Sequence, residues 1–289
     1  MRDIGGWKFS FYLQRRGLVS DKDMENALKD TMKFYPGFDI RATTDRLGFT
    51  YGKNVFGPVP EIRRLDDIRA SLQDPLSPGP EELYAIVMDV GLNADREEIV
   101  KRNLLFGAVT YSAGTIGQEP VRSQGHIHAV SASCGSSTPE VYEIWEGEAV
   151  IYIQESGEDD PGMCYAVHAG PGDVVIVPPR YVHATINADV NRNMTFGAWC
   201  VRDYGFDYRD VRRHGGIAYF PYVDGNSLKW RQNPAYRGGE LIEKEARTWE
   251  DFNLEAGVPI YTQFQKDRDR FMFVADPRRY QNIWKGFEP

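Results

Sequence analysis

The chain has 289 residues, 42% hydrophobic and 26% charged, with a formal net charge of −8. That is the composition of an ordinary globular protein with room for one large core, and its acidic balance argues against nucleic acid as the main partner. No run of about 18 apolar residues occurs, so no membrane-spanning helix is expected, and the start, Met1 to Trp7, lacks the apolar stretch of a signal peptide. Cys134, Cys164 and Cys200 form no even framework, which places the chain in a reducing cytoplasm.

Residues 20–34 read as an amphipathic helix, with Ser20 as N-cap and Met24, Ala27, Leu28, Thr31 and Met32 on one face. Pro36-Gly37 ends it. A short helix follows near Asp66 to Leu72 with Ile68 and Leu72 turned inward, then an apolar run of strand length, Leu83 to Val90. Asp95 to Arg102 reads as a helical turn feeding a strand, Leu104 to Tyr111. From Leu104 to Trp199 short strands alternate with turn residues: Val141 to Trp145, Ala149 to Gln154, Val174 to Val177 and Met194 to Val201. The intervening turns are Ser112 to Gly114, Glu146-Gly147, Gly157 to Gly162, Gly170 to Asp173 and Asn187 to Asn193. This pattern predicts an antiparallel sandwich or barrel, of which the jelly roll is one type. Thr248 to Glu255 reads as a short helix broken by Gly257-Val258-Pro259, and the aromatic-rich segment to Pro289 as an arm on the barrel or on a partner subunit. The expected organisation is an N-terminal helical and strand extension (1–100), a barrel (101–224) and a mixed C-terminal arm (225–289).

All five histidines lie between positions 126 and 214. On a strand, residues two apart share a face, so His126 and His128 present their imidazoles side by side. Glu140 opens the next apolar run, and His183 follows the run Val174 to Val177. Three imidazoles and a carboxylate on neighbouring strands suit a divalent first-row metal. No cysteine pair has the spacing of a structural zinc site.

Two sequence motifs of the cupin superfamily resemble this stretch. The first is met at His126, His128, Glu140 and Gly147, with a loop inserted between His128 and Glu140. The second is met at Gly172, Pro178, His183 and Asn187, with Arg180 in place of a glycine. Within cupins, the words Gly114 to Gly117, Ser123 to His128, Pro139 to Glu143, Pro178-Pro179 and His214 to Tyr219 resemble the phosphoglucose isomerase family of archaeal cupin type. The resemblance is clear from about Leu104 to Tyr222, reaches back to about Arg63, and is thin before Gly48.

The resemblance implies a mainly β cupin double-stranded β-helix with helical N-terminal and mixed C-terminal extensions. It implies a metal-dependent glucose-6-phosphate isomerase of glycolysis and gluconeogenesis, working as a homodimer without nucleic acid or membrane. His126, His128, Glu140 and His183 would then ligate one divalent metal, Fe(II) first, with Mn, Ni or Zn as alternatives. Tyr142 corresponds to an active-site tyrosine near the reacting carbons. Ser123, the backbone of Gly125, and Thr110 correspond to the phosphate site. Tyr208 and His214 match residues that close over the sugar.

The residues themselves allow the same chemistry. An aldose–ketose isomerisation moves a hydrogen between C1 and C2, which needs electrophilic stabilisation of the oxygens and, if a proton moves, a base. Glu140 is the nearest carboxylate; Tyr142 shares its face and Glu143 faces away by strand alternation. A hydride shift would need no base, and the sequence leaves both routes open. Arg122 or Arg180 could add charge for a phosphate. Bland readings stand beside these: a core tyrosine at Tyr142, local turn bonding at Ser123, a solvated basic run around His214, and a surface residue at Arg180. A cupin oxygenase, or a non-catalytic sugar-phosphate binding or regulatory cupin, would use the same ligand set.

Overall fold

A computed structural model describes residues 34–43, 45–225 and 227–289. Its scaffold is ten strands: β1 (Glu61–Arg64), β2 (Glu82–Met88), β3 (Leu104–Tyr111), β4 (Glu140–Glu146), β5 (Ala149–Gln154), β6 (Met163–Ala169), β7 (Val174–Val177), β8 (Val182–Asn187), β9 (Met194–Val201) and β10 (Glu240–Glu245). Six pair antiparallel in the order β7-β4-β9-β3-β2-β1. The other four form a sheet in the order β8-β5-β6-β10, antiparallel except for β10, which runs parallel to β6.

The inner faces of the two sheets pack on each other. Tyr84, Tyr111, Ile144, Val175 and Phe196 from one meet Ile151, Ile153 and Val167 from the other in a single buried cluster. This is the β-sandwich of a jelly roll, in agreement with the mainly β fold expected from the sequence. Both sheets are also covered outside. Phe106 and Trp199 pack against Phe38 and Tyr261, with Phe264 and Phe271 also on Trp199. Behind the smaller sheet, Tyr152, Ala166 and Ile186 pack with Val211, Ile217 and Tyr236. Strands buried on both faces lose the hydrophobic–polar alternation that marks a half-exposed strand, and β8 and β9 are buried at every position.

Several local expectations meet their residues. The helix Leu65–Ile68 continues as a 3-10 turn, Arg69–Ser71, and buries Ile68 and Leu72. The helix Arg96–Lys101 leads into β3. The helix expected over 20–34 lies, apart from its last residue, outside the described residues. The one expected over Thr248 to Glu255 is only a 3-10 turn, Glu250–Phe252, closed by Asn253 at φ 57°. The helix forms instead at Ile260–Lys266, with Pro259 as its N-cap, because proline's fixed φ and missing N–H suit a helix start and not an interior. The sheets take strands from both sides of residues 101 and 224, namely β1, β2 and β10.

Two motif positions explain themselves as turns. Gly147 has φ 78°, and a Cβ there would lie 2.6 Å from the Asn193 carbonyl oxygen, so only glycine fits the β4–β5 corner. Arg180, which stands where the second motif has glycine, keeps a left-handed φ of 73°.

Candidate metal centre

The residues of the site arrive from three directions. Backbone hydrogen bonds run both ways between His126 and His183, each 3.0 Å, locking the incoming segment against β8. Ile127–His128 is a short strand paired with Phe206–Asp207. Glu140 begins β4, in register with Val177 of β7. The result places one ligand atom from each of His126, His128, Glu140 and His183 within 4.8 Å of the others.

The donor set fits a divalent metal on the evidence of its own hydrogen bonds. His128 Nδ1 sits 2.9 Å from the Thr138 carbonyl oxygen, so that nitrogen carries the proton and Nε2 keeps its lone pair. The Nε2 atoms of His126, His128 and His183 are all buried without a hydrogen-bond partner. Three orphaned imidazole nitrogens converging on a carboxylate would be a costly arrangement unless something accepts their lone pairs. Burial pushes the His126 and His183 imidazoles below their usual range, with the neighbouring imidazoles adding to the effect at His126. A neutral imidazole is the form that ligates a metal. Glu140 Oε2 lies 3.2 and 3.4 Å from the His128 and His183 Nε2 atoms, inside the cluster. Tyr142 donates its hydroxyl to Oε2 at 2.8 Å, and Cys200 lies 3.2 Å from Oε1. Burial, then the Glu140 charge, pushes the Tyr142 hydroxyl well above its usual range, so it remains a proton donor.

A cavity of about 70 Å³ opens beside this cluster and is lined by His126, Glu140, Tyr142, Ser123 and Tyr208, among others. Ser123 accepts from the Thr185 backbone N–H at 3.0 Å, and its hydroxyl is also within reach of Tyr111. Tyr208 packs edge-on to His126, ring centroids 5.8 Å apart. Gly125 is buried, with φ 89°, and a Cβ would lie 2.7 Å from Ile217 Cγ2; backbone conformation and packing already require glycine there.

Two residues expected at the site are elsewhere. Thr110 faces the opposite side of β3 from the cavity-lining Val109 and Tyr111, and its hydroxyl is bonded to Thr195 at 3.0 Å. A one-residue slip in register reverses every side chain of a strand. His214 is stacked on Tyr236 at 4.0 Å, with Nε2 3.1 Å from Asp159 and Nδ1 2.8 Å from the Asp210 carbonyl oxygen. Tyr236 belongs to the cluster behind the smaller sheet, so His214 is a structural group there. Arg122 is fully buried and bonded to Glu119, Ser71 and Ser123, while Arg180 lines a different surface cavity. The structure adds Arg63, Tyr84, Tyr111, Thr185 and Phe206 to the cavity wall, and Cys200 to the Glu140 contacts. The alternation of β3 signalled Tyr111 once its register was known; the others carry no local motif.

Comparison with known proteins gives a consistent set of relatives. A family model described as "Glucose-6-phosphate isomerase (GPI)" matches residues 70–237. The glucose-6-phosphate isomerase of Thermococcus kodakarensis is 27% identical over 183 residues, covering 61% of this chain and 87% of the relative. That of Pyrococcus furiosus is 24% identical over 190 residues, covering 63% and 90%. Among solved structures, an oxalate oxidase overlaps 43% of this chain and 54% of its own with a TM-score of 0.32 at 15% identity.

Proposed function

The chain belongs to the glucose-6-phosphate isomerase family, and on that premise we propose that it interconverts glucose 6-phosphate and fructose 6-phosphate in the cavity beside His126, His128, Glu140 and His183. The observation that carries the assignment is the convergence of three buried, unpartnered Nε2 atoms on one carboxylate. These four side chains would hold one divalent ion, Fe(II) first, with Mn(II), Ni(II) or Zn(II) as alternatives, as a mixed N/O donor set favours. Bound there, it would polarise the oxygens on C1 and C2 of the open-chain sugar. The same reading makes the protein a cytoplasmic homodimer serving glycolysis and gluconeogenesis.

From aldose to ketose, the C2 hydrogen leaves as a proton and its electron pair becomes the C1–C2 double bond, while the carbonyl pair moves onto O1. A proton then returns to C1, the O2 proton passes to O1, and C2 becomes the carbonyl. Glu140 is the proton acceptor at hand, and Tyr142, whose hydroxyl donates to its Oε2 at 2.8 Å, orients the carboxylate and offers its oxygen as an acceptor to a sugar hydroxyl. Ser123 presents its hydroxyl to the cavity, and Tyr208 closes the side of the cavity next to His126.

The test is a coupled assay from fructose 6-phosphate to glucose 6-phosphate, with protein stripped by chelator and reloaded separately with Fe(II), Mn(II), Ni(II) and Zn(II). Turnover lost on stripping and restored by a divalent ion is the expected result. A loaded protein with no turnover under any of the four metals removes the isomerase assignment.

A further inference from the structure

A row of polar side chains crosses the cavity wall. Arg63, Tyr84 and Tyr111 occupy directly paired positions on β1, β2 and β3, so their side chains leave the same face of the six-stranded sheet. All three line the cavity. Arg63 is the direct cross-strand neighbour of Tyr84, and the Tyr84 ring stacks on Tyr111 with centroids 4.6 Å apart. The Tyr111 hydroxyl reaches Ser123 and Thr185. One guanidinium thus stands at the end of a chain of hydroxyls leading to the Ser123 corner.

Arg63 is the one lysine or arginine among the described residues lining this cavity. Its side chain is 24% exposed, whereas Tyr84, Tyr111 and Tyr142 are buried; the cation is at the mouth and the reacting groups are deep. Its resident partner is Glu61, at 2.8 Å, whose side chain is 65% exposed. An exposed pair of this kind contributes little and exchanges readily. A dianionic phosphate offers a planar guanidinium two parallel hydrogen bonds and twice the charge of that carboxylate. In a chain with net charge −8, an anionic substrate needs such a local cation.

We propose that Arg63 binds the phosphate end of the substrate at the cavity mouth, beside its cross-strand neighbour Tyr84, with the phosphate displacing Glu61. The inference rests on the reading that this cavity takes a sugar phosphate. Arg63 lies on β1, just before residues 70–237, the part matched by the family model.

The experiment uses the full-length, metal-loaded protein and its Arg63→Met, Arg63→Lys and Glu61→Gln variants. The readouts are KM and kcat for fructose 6-phosphate, bound metal, and the calorimetric Kd of inorganic phosphate. Loss of a charged hydrogen bond predicts that Arg63→Met raises both KM and the phosphate Kd by about 10- to 100-fold. Bound metal should stay unchanged, kcat should change far less than KM, and Arg63→Lys should recover part of the loss. Removing the competing carboxylate by Glu61→Gln should tighten phosphate. A KM and a phosphate Kd in Arg63→Met within about twofold of the parent would overturn the proposal, as would an unchanged KM with no phosphate binding in the parent. If the parent binds phosphate through Arg63 but turns over no fructose 6-phosphate, the anion site stands and the isomerase reading falls.

Discussion

Glu140 and Glu143 lie on one strand, both buried, on opposite faces of the same sheet. Burial pushes both carboxyls upward, and their partners decide between them. Glu140 faces the Nε2 atoms of His128 and His183 at 3.2 and 3.4 Å, in the donor set that suits a metal. Glu143 accepts only neutral hydrogen bonds, from the Ile260 backbone N–H at 2.7 Å and Trp145 Nε1 at 3.0 Å, and burial carries it up to about 8. Desolvation alone therefore does not make a site; a charged or ligating neighbour does. One strand carries the carboxylate of the candidate metal centre on its inner surface and a hydrogen-bonded carboxyl on its outer one, the outer one tied down by the C-terminal segment.

The sharpest way to break the comparison is to remove a ligand from the inner face. His183→Ala should lose bound metal and activity together. Its effect should exceed the roughly 10- to 100-fold that even an outer partner of a metal ligand costs. Metal analysis and the coupled assay on the same preparation check this; full activity without His183 would dissolve the distinction between the two faces. Glu140→Gln should lower kcat more than it raises KM, and retention of solvent hydrogen exchange at C1 or C2 at the parent rate would deny Glu140 the role of proton acceptor.

The inner face was far more legible in the sequence than its surroundings. His126, His128, Glu140 and His183 fall in two motifs that stay recognisable although a loop lengthens the spacing between His128 and Glu140, and strand alternation separates Glu140 and Tyr142 from Glu143. Long apolar runs such as β3, β5 and β9 announced themselves. By contrast β6 packs on both sides and its sequence shows no period of two, and β10 is a polar edge strand, Glu240–Glu245, whose only partner among the described residues is β6. Arg63 was invisible for a similar reason: β1 reads Glu-Ile-Arg-Arg, a charged edge with no apolar signal. Thr110 shows the limit of motif transfer, since a shift of one residue turned an expected ligand into a core threonine. His214 shows another, because nothing local in sequence places Asp159 and Tyr236 around it.

Glu143 gives the next largest effect, and it appears in stability. Its carboxyl keeps a proton in the folded state up to about pH 8, whereas the unfolded chain releases it near the ordinary 4.5. Across that window the folded state binds more protons, so this group makes stability fall as pH rises, by at most about 1.4 kcal/mol per pH unit. The effect is absent below the unfolded value and levels off above the folded one. His126 and His183, with lowered folded values, act in the opposite sense, so the readout is the difference between the parent and Glu143→Gln. Urea denaturation from pH 5 to pH 8 should give a difference that grows in favour of the variant. A difference independent of pH would mean that Glu143 is ionised in the fold like Glu140.

The smallest expected effect belongs to the segment that seals the outer face. Tyr261 packs with Phe38, Phe106 and Trp199, and its hydroxyl oxygen accepts the Leu92 backbone N–H at 2.7 Å. Tyr261→Phe keeps the ring and removes that acceptor, leaving a part-buried N–H unpaired at a cost of at most about 1–3 kcal/mol. Because this loss falls on the outer side of the sheet, bound metal, KM and kcat should match the parent while the urea midpoint drops. A change in metal content or kcat would show that the two faces are coupled through the strands they share. The inner site would then depend on how the C-terminal segment is seated.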